Sequence, residues 1–411
     1  MTELGGQILL CRDGQAFVRP GVVRVRDDRI DEVDLARPPE SAETSGDPDQ
    51  LICPGFVDGH LHLPQFPIIG AHGMPLLRWL KEIVFPTEAA WADVGYASEV
   101  CHRCVQELFR HGTTSVAAYA TIHGDATGAA LRIFSREGLG GCIGHVWMTD
   151  PDVPELCRPR VQLRDETMRL LQAHPPGGRL AAAVTPRFAL SCDEETLRMA
   201  GQLASETGAI VQTHLSETEA EVEQVSRRFE GRGYVDVYQR AGLVGPRSIF
   251  GHAIHLTVEE QQVLAEARSL IAHCPTANTF LRSGRMSLTS HAAARIPMIL
   301  GSDIGAGYER SMVRVARAAI ENAAALDFND AWNDGGELSA EAMFHRITAG
   351  ACEAMGWNDR GKIAVGSVAD LLVIRPDIPW RTGSVSPLSR LMWAWDDRWI
   401  HHVYAQGRQK I

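Results

Sequence analysis

The chain has 411 residues, 45% hydrophobic and 22% charged, the composition of a globular protein large enough for one barrel with a small module or for two to three ordinary domains. A formal charge of −11 and an isoelectric point near 5.8 exclude the basic face that a nucleic-acid partner needs, and leave uncharged small molecules open. No stretch approaches the ~18–20 apolar residues of a membrane span, the start "MTELGGQILLCRDGQ" has no basic segment followed by a long apolar core, and nine scattered cysteines suit reduced thiols, so a cytoplasmic location is expected.

In chain order, the first 50 residues carry short alternating stretches such as "AFVRPGVVRVRDDRIDEV", broken by Gly and Asp-Asp turns. The segment "ARPPESAETSGDPDQ" reads as a polar, Pro-containing connection. Eight apolar strand-like runs then follow: "CPGFVDG", "TTSVAAYA", "GCIGHVWM", "LAAAVTP", "AIVQTHL", "SIFGHAI", "SLIAHCP" and "PMILGSD". Helical stretches such as "ETLRMAGQLASETG" and "ERSMVRVARAAIENAAAL" lie between them. Buried strands alternating eight times with helices specify an α/β fold, a (β/α)8 TIM-like barrel.

The C-terminal stretches "GKIAVGSVADLLVI" and "WIHHVYAQGRQKI" read as strands again, so the two ends are expected to join as a small β-sandwich module. The organisation predicted is residues 1–52 for the first part of that module, 53–355 for the barrel and 356–411 for the second part. One C-x-x-C occurs, Cys101 and Cys104 in "SEVCHRCVQELF", on a helical stripe with Val100, Leu108 and Phe109; both are read as helix packing, since no second pair completes a zinc cage.

A barrel carries its chemistry at the C-terminal ends of its strands. The first run ends at His60 and His62, whose spacing of two sends both imidazoles to one side of a strand. The fifth ends "VQTHLSE", with His214 and, three residues on, Glu217; the sixth ends at His252 and the eighth at Asp303. Three or four imidazoles and a carboxylate thus converge on one mouth, a donor set suited to zinc, on which a bound water loses a proton near neutral pH and becomes a nucleophile. Glu217, one turn from His214, is placed to shuttle a proton to a leaving group.

"PGFVDGHLH", "THLSE", "GHAIHLT", "HCPTAN" and "GSDIGAG" together resemble the amidohydrolase superfamily in its mononuclear aminohydrolase branch. Within it the chain is most similar to the guanine deaminase family, through "HLHLPQF", "LLRWLKEIVFPTE", "HGTTSVAAYATIH", "TPRFALSC", "HLSETEAEVE", "IAHCPTANTFLRSG" and "GSDIGAGYERSMVRVARAAI", in order from about residue 51 to 325, and through the closing "DDRWIHHVYAQGRQ". The resemblance implies that His60, His62, His214 and Asp303 bind one Zn2+ per subunit, with Fe2+ as the other ion the site accepts. It implies further that metal-bound hydroxide attacks the amino-bearing ring carbon, that His252 holds the hydroxide or the tetrahedral intermediate, that Glu217 carries a proton to the purine ring and that Asp303 accepts one from the water. Gln65 corresponds to the glutamine at the purine edge, and Arg187 and Phe188 to the substrate-recognition pair.

The residue chemistry agrees: Gln65 offers an acceptor and a donor, Arg187 offers donors toward a carbonyl oxygen, and Phe188 either stacks on a flat base or belongs to the core. The activity implied is hydrolytic deamination of guanine to xanthine and ammonia, by a homodimer whose partner is a small purine. The alternative is an aminohydrolase of another amino-heterocycle, a pterin, a modified guanine or a triazine, because "HCPTAN" and "GYERSM" depart from the family's pattern. Trp79 and Phe85 either wall the pocket or pack a helix on the barrel, and Glu309 and Arg310 are placed near the mouth. His123 and His273 are read as supporting or structural groups, and His401 and His402 as surface residues.

Three competing readings conflict with the residues. A binuclear relative bridges its metals with a carboxylated lysine at the fourth strand, yet no lysine occurs between Lys81 and Lys362. The smaller zinc deaminase fold needs P-C-x-x-C, which is absent from the chain. A non-catalytic scaffold relative would have lost ligands, and every expected ligand is present.

Overall fold

The computed structural model describes residues 1–326 and 338–411. Before the barrel come β1 (Thr2–Arg12), β2 (Gln15–Arg26), β3 (Arg29–Asp34) and β4 (Ser45–Pro54). The barrel strands are β5 (Phe56–His62), β6 (Thr113–Tyr119), β7 (Gly140–Trp147), β8 (Leu180–Pro186), β9 (Ile210–Leu215), β10 (Ser248–His252), β11 (Leu270–His273) and β12 (Met298–Leu300). After them come β13 (Leu371–Ile374), β14 (Ile400–Ala405) and β15 (Arg408–Gln409).

The eight runs read from the sequence are the eight strands β5 to β12, which follow one another in a single sheet in chain order. Neighbours from β7 to β12 run parallel. With helices between successive strands, the sheet curls into a nearly closed (β/α)8 barrel. Its strands are buried along almost their whole length, which explains apolar runs without alternation. At the mouth, the His62 amide donates to the Ile304 carbonyl and the Asp303 amide to the His60 carbonyl, each at 2.7 Å. These bonds tie the end of β5, which carries His60 and His62, to the segment after β12, which carries Asp303.

Two glycines make room for that junction. A Cβ at Gly251 would stand 2.7 Å from Cε1 of His60, and one at Gly301 would stand 2.6 Å from its Cβ. A side chain at either position would force His60 or the backbone at the glycine to shift.

The terminal segments form one seven-stranded sheet in the order β15-β14-β13-β4-β1-β2-β3. Leu4, Ile8, Val23, Ile52, Leu371 and Val373, drawn from four of its strands, share one apolar cluster. Strand β4 starts at Ser45, inside the segment read as a connection. Ser45 and Gly46 pair with Leu4 and Gly5 of β1, and β13 pairs further on with Leu51–Pro54, so the strand begins within the polar stretch in spite of its composition. By its internal contacts the chain divides into two compact units, residues 1–58, 105–115 and 310–411, and residues 59–104 and 116–309. Every site residue considered below lies in the second.

The C-x-x-C pair sits on the helix Val94–Arg110 with both thiols buried, and none of the nine cysteines, all among the described residues, forms a disulfide. Among the described residues no helix is long and apolar enough to cross a membrane.

Candidate active site

On the extended β5, His60 and His62 project to the same side, and both are buried. His214 is the next-to-last residue of β9, His252 the last of β10, and Asp303 lies three residues past β12. Four non-glycine residues at these strand ends adopt the left-handed backbone region: Ser216 (φ 46°), His252 (φ 67°), Ala253 (φ 52°) and Asp303 (φ 52°). Each such residue costs on the order of 1–3 kcal/mol, and such strain gathers where side chains must be aimed. Here the chain turns sharply enough at each strand end to direct His252 and Asp303 inward.

The ligating atoms of His60, His62, His214 and Asp303 lie within 4.8 Å of one another, and all four residues are buried. His62 Nε2 is 3.1 Å from His214 Nε2, and Asp303 Oδ1 is 3.3 Å from His60 Nε2 and 3.4 Å from His62 Nε2. Donors about 2.1 Å from a shared ion, at angles of about 95–110°, stand about 3.1–3.4 Å apart, so the group is spaced as the coordination shell of one metal ion. Burial first, with neighbouring cationic groups adding to it, holds the pKa of His60 and His214 well below the ordinary value; burial does the same for His62 against the pull of Asp303. All three are therefore neutral, the form that coordinates. His214 Nδ1–H donates to the Arg187 carbonyl at 2.7 Å, which leaves Nε2 with its lone pair toward the cluster.

The two expected catalytic groups stand beside this cluster. His252 Nε2 lies 3.5 Å from Glu217 Oε2 and 3.8 Å from Asp303 Oδ2, while its Nδ1 bonds Asn278 Oδ1 at 2.9 Å. Burial opposes a charge on His252, yet Glu217, Asp303 and Asn278 together hold its pKa above the ordinary value. Glu217 is buried, which pushes its pKa up to about 7 against the attraction of His252. A carboxyl balanced there both takes and gives a proton near neutral pH.

A small cavity opens onto these groups. Its lining includes Gln65, Arg187 and Phe188 together with His62, His214, Glu217, His252 and Asp303, so the three substrate-binding candidates share one cavity with the cluster. Trp79 also lines it, with its indole N–H bonded to the Ala71 carbonyl at 2.8 Å. Phe85 instead lies under Arg187, whose guanidinium carbon stands 5.5 Å from the ring centre.

The remaining marked residues lie elsewhere. Arg310 pairs with Glu107 at 2.8 Å, and among the described residues lining the cavity neither Arg310 nor Glu309 occurs. His123 precedes the helix Gly124–Glu137 and His273 ends β11; neither belongs to the four-residue cluster. His401 and His402 lie on β14 of the terminal sheet, with Nδ1 of His401 3.0 Å from Nε2 of His402.

Several residues of the site were not singled out from the sequence. Tyr119 ends β6 with its ring packed 4.8, 4.6 and 4.9 Å from those of His60, His62 and His214. Ser283 donates to Glu217 Oε1 at 2.8 Å. Glu221 accepts from the Glu217 amide at 3.0 Å and from the Tyr234 hydroxyl at 2.6 Å. The sequence did hold a signal for Glu221, since Thr-x-x-Glu at 218–221 is a helix-start pattern, and the two residues cap the helix Glu219–Arg228 reciprocally. Glu88, deep beside Gln65 and Arg187, gave no such signal.

The chain belongs to the amidohydrolase family, whose sequence profile matches residues 51–410. Among characterised relatives, it is 34% identical over 371 residues to the guanine deaminase of Escherichia coli K12, covering 87% of this chain and 82% of that protein. It is 31% identical to the guanine deaminase of Dictyostelium discoideum, covering 88% and 82%. The solved guanine deaminase of C. acetobutylicum, with guanine in its active site, superposes with a TM-score of 0.90 at 28% identity over 99% of both chains.

Proposed function

We propose that this protein is a zinc-dependent hydrolase that deaminates guanine to xanthine and ammonia. The observation that carries the proposal is the sharing of one small cavity by His62, His214 and Asp303 of the four-residue cluster with Glu217 and His252 on one side and Gln65, Arg187 and Phe188 on the other. Similarity to guanine deaminases along most of the chain supports the choice of base.

His60, His62, His214 and Asp303 would hold the ion, and three imidazoles with one carboxylate form a donor set that suits zinc. Bound there, the ion supplies a water molecule activated as nucleophile. Gln65 meets the base edge with its amide, Arg187 donates to the ring carbonyl oxygen, and Phe188 covers a face of the ring. Those contacts bring the amino-bearing carbon C2 toward the cluster and exclude bulk water.

As the water oxygen bonds to C2, electrons of the adjacent C=N bond move onto ring nitrogen N3, and Glu217 delivers a proton there. Asp303 Oδ2 takes the proton that the water gives up. His252, held by Asn278 and carrying a proton on Nε2, steadies the negative charge that develops on the attacking oxygen. The proton held by Asp303 then passes to N2 and the one still on the attacking oxygen passes to Glu217; the C2–N2 bond breaks, ammonia leaves, and the ring retains the oxygen as the second carbonyl of xanthine.

An ammonia-release assay of the zinc-loaded protein across guanine, adenine, cytosine, pterins and triazines tests the proposal. Turnover of guanine well above the others is the expected result. No turnover of guanine, with a pterin or triazine consumed instead, would overturn the choice of base and leave the hydrolase reading standing.

A further inference from the structure

We propose that Glu88, a residue outside the cavity lining, is the positioning residue that sets the hydrogen-bonding face Gln65 and Arg187 present to the base. The inference rests on the reading of those two residues as the base-recognition groups.

Glu88 lies in the short helix Phe85–Ala89 and is 1% exposed. Its two carboxylate oxygens are divided between the two recognition side chains. Oε1 accepts from Gln65 Nε2 at 2.8 Å, and Oε2 accepts from Arg187 Nη1 at 2.5 Å. Gln65 and Arg187 lie 122 positions apart in the chain, and this one buried carboxylate joins them.

The consequence for Gln65 is orientation. The two ends of a primary amide have nearly the same shape, so packing alone does not decide which end faces a neighbour. A carboxylate accepts only, and therefore selects Nε2. The Gly305 amide donates only, and stands 3.3 Å from Oε1, selecting the same orientation from the other end. One N–H and one oxygen lone pair of Gln65 are left for a ligand, in a fixed order along the edge of the cavity.

For Arg187 the consequence is charge and direction. An unpaired guanidinium in a buried site would be costly, whereas paired with Glu88 it adds no net charge to a cavity that receives an uncharged base. The guanidinium is held on one side by Glu88 and lies over the Phe85 ring at 5.5 Å, so its remaining donors keep one direction. Glu88 therefore acts on the order of donors and acceptors met by the substrate, through two residues at once, and does not touch the substrate.

The test is a set of Glu88 variants of the metal-loaded protein, with wild type assayed beside them. Glu88→Gln is expected to raise KM for guanine about ten- to hundredfold, with metal content unchanged and kcat within about threefold. Because Gln65 would already be misoriented, adding Gln65→Ala to Glu88→Gln raises KM far less than it does in wild type. Glu88→Asp keeps the charge on an arm too short for both partners and falls between the two. It also serves if Glu88→Gln fails to fold: a raised KM at an unaltered Tm supports the proposal, and an unaltered KM overturns it.

Additive effects with Gln65→Ala would overturn it as well, as would a fall in kcat alone. A crystal structure of the variant gives a reading without substrate: Gln65 or Arg187 is expected to leave its present position, and both remaining in place overturns the proposal whatever base the wild type consumes. A wild type that ignores guanine while the variant structure shows the displacement overturns the choice of base only.

Discussion

Ser283 Oγ donates a 2.8 Å hydrogen bond to Oε1 of Glu217, which leaves Oε2 of the same carboxylate 3.5 Å from His252 Nε2. One oxygen is held by the scaffold and the other faces the reacting centre. With Glu217 as the proton carrier proposed above, Glu217→Gln keeps the shape and loses the proton, so the rate is expected to fall about 10²- to 10⁴-fold with metal content unchanged. Ser283→Ala frees the carboxylate without discharging it, and a loss nearer tenfold is expected, on the order of one hydrogen bond. Steady-state kinetics with parallel metal analysis checks both; a Glu217→Gln protein that arrives without metal would show Glu217 to be a ligand.

His214→Ala or Asp303→Ala leaves three donors of the four. Metal affinity is expected to drop by at least about 10- to 100-fold and activity with it, as read by plasma mass spectrometry of the dialysed protein and by zinc titration. His123→Ala, outside the cluster, is expected to retain wild-type metal content in the same measurement.

Gly251→Ala places a methyl group 2.7 Å from the His60 ring. Either β10 or His60 must move, and overpacking of this kind costs about 1–3 kcal/mol. A lowered Tm together with weakened metal binding is the expected pair of results. A lowered Tm with metal binding intact would mean that the strand yields and the imidazole stays.

Glu3 accepts hydrogen bonds from Arg37 and Arg24, and the Arg37 bond is the largest influence holding its carboxyl down at about 2, against an ordinary 4.5. A carboxyl depressed in the folded state stabilises the fold above its unfolded pKa, and that stabilisation disappears as pH falls from about 4.5 to about 2. Glu3→Gln is therefore expected to lower Tm at pH 6 and to match wild type at pH 2. Scanning fluorimetry across that range checks it; equal curves at pH 6 would remove Glu3 from the acid response.

Much of the site could be read along the chain because its ligands sit where apolar strands stop. His60 and His62 share a direction through the two-residue period of a strand, and His214, His252 and Asp303 each close a later run. Residues that act through distant partners were not legible in this way. Ser283 reaches Glu217 across 66 positions and Glu88 reaches Arg187 across 99, with no periodic pattern linking either pair. β4 was missed for a related reason, since its polar composition speaks for a loop and only β1 and β13 make it a strand.

By itself, then, the sequence determined the eight-strand barrel and the identity of the donors at its mouth, because hydrophobic periodicity and strand-end position are local properties. The tertiary structure decided how those donors are held. Closing β5 onto the segment after β12 brings Asp303 against His60, glycines at 251 and 301 admit the His60 ring, and one buried carboxylate, Glu88, accepts from Gln65 and Arg187 at once. These are contacts between residues far apart in the chain, and they exist only once the barrel has closed.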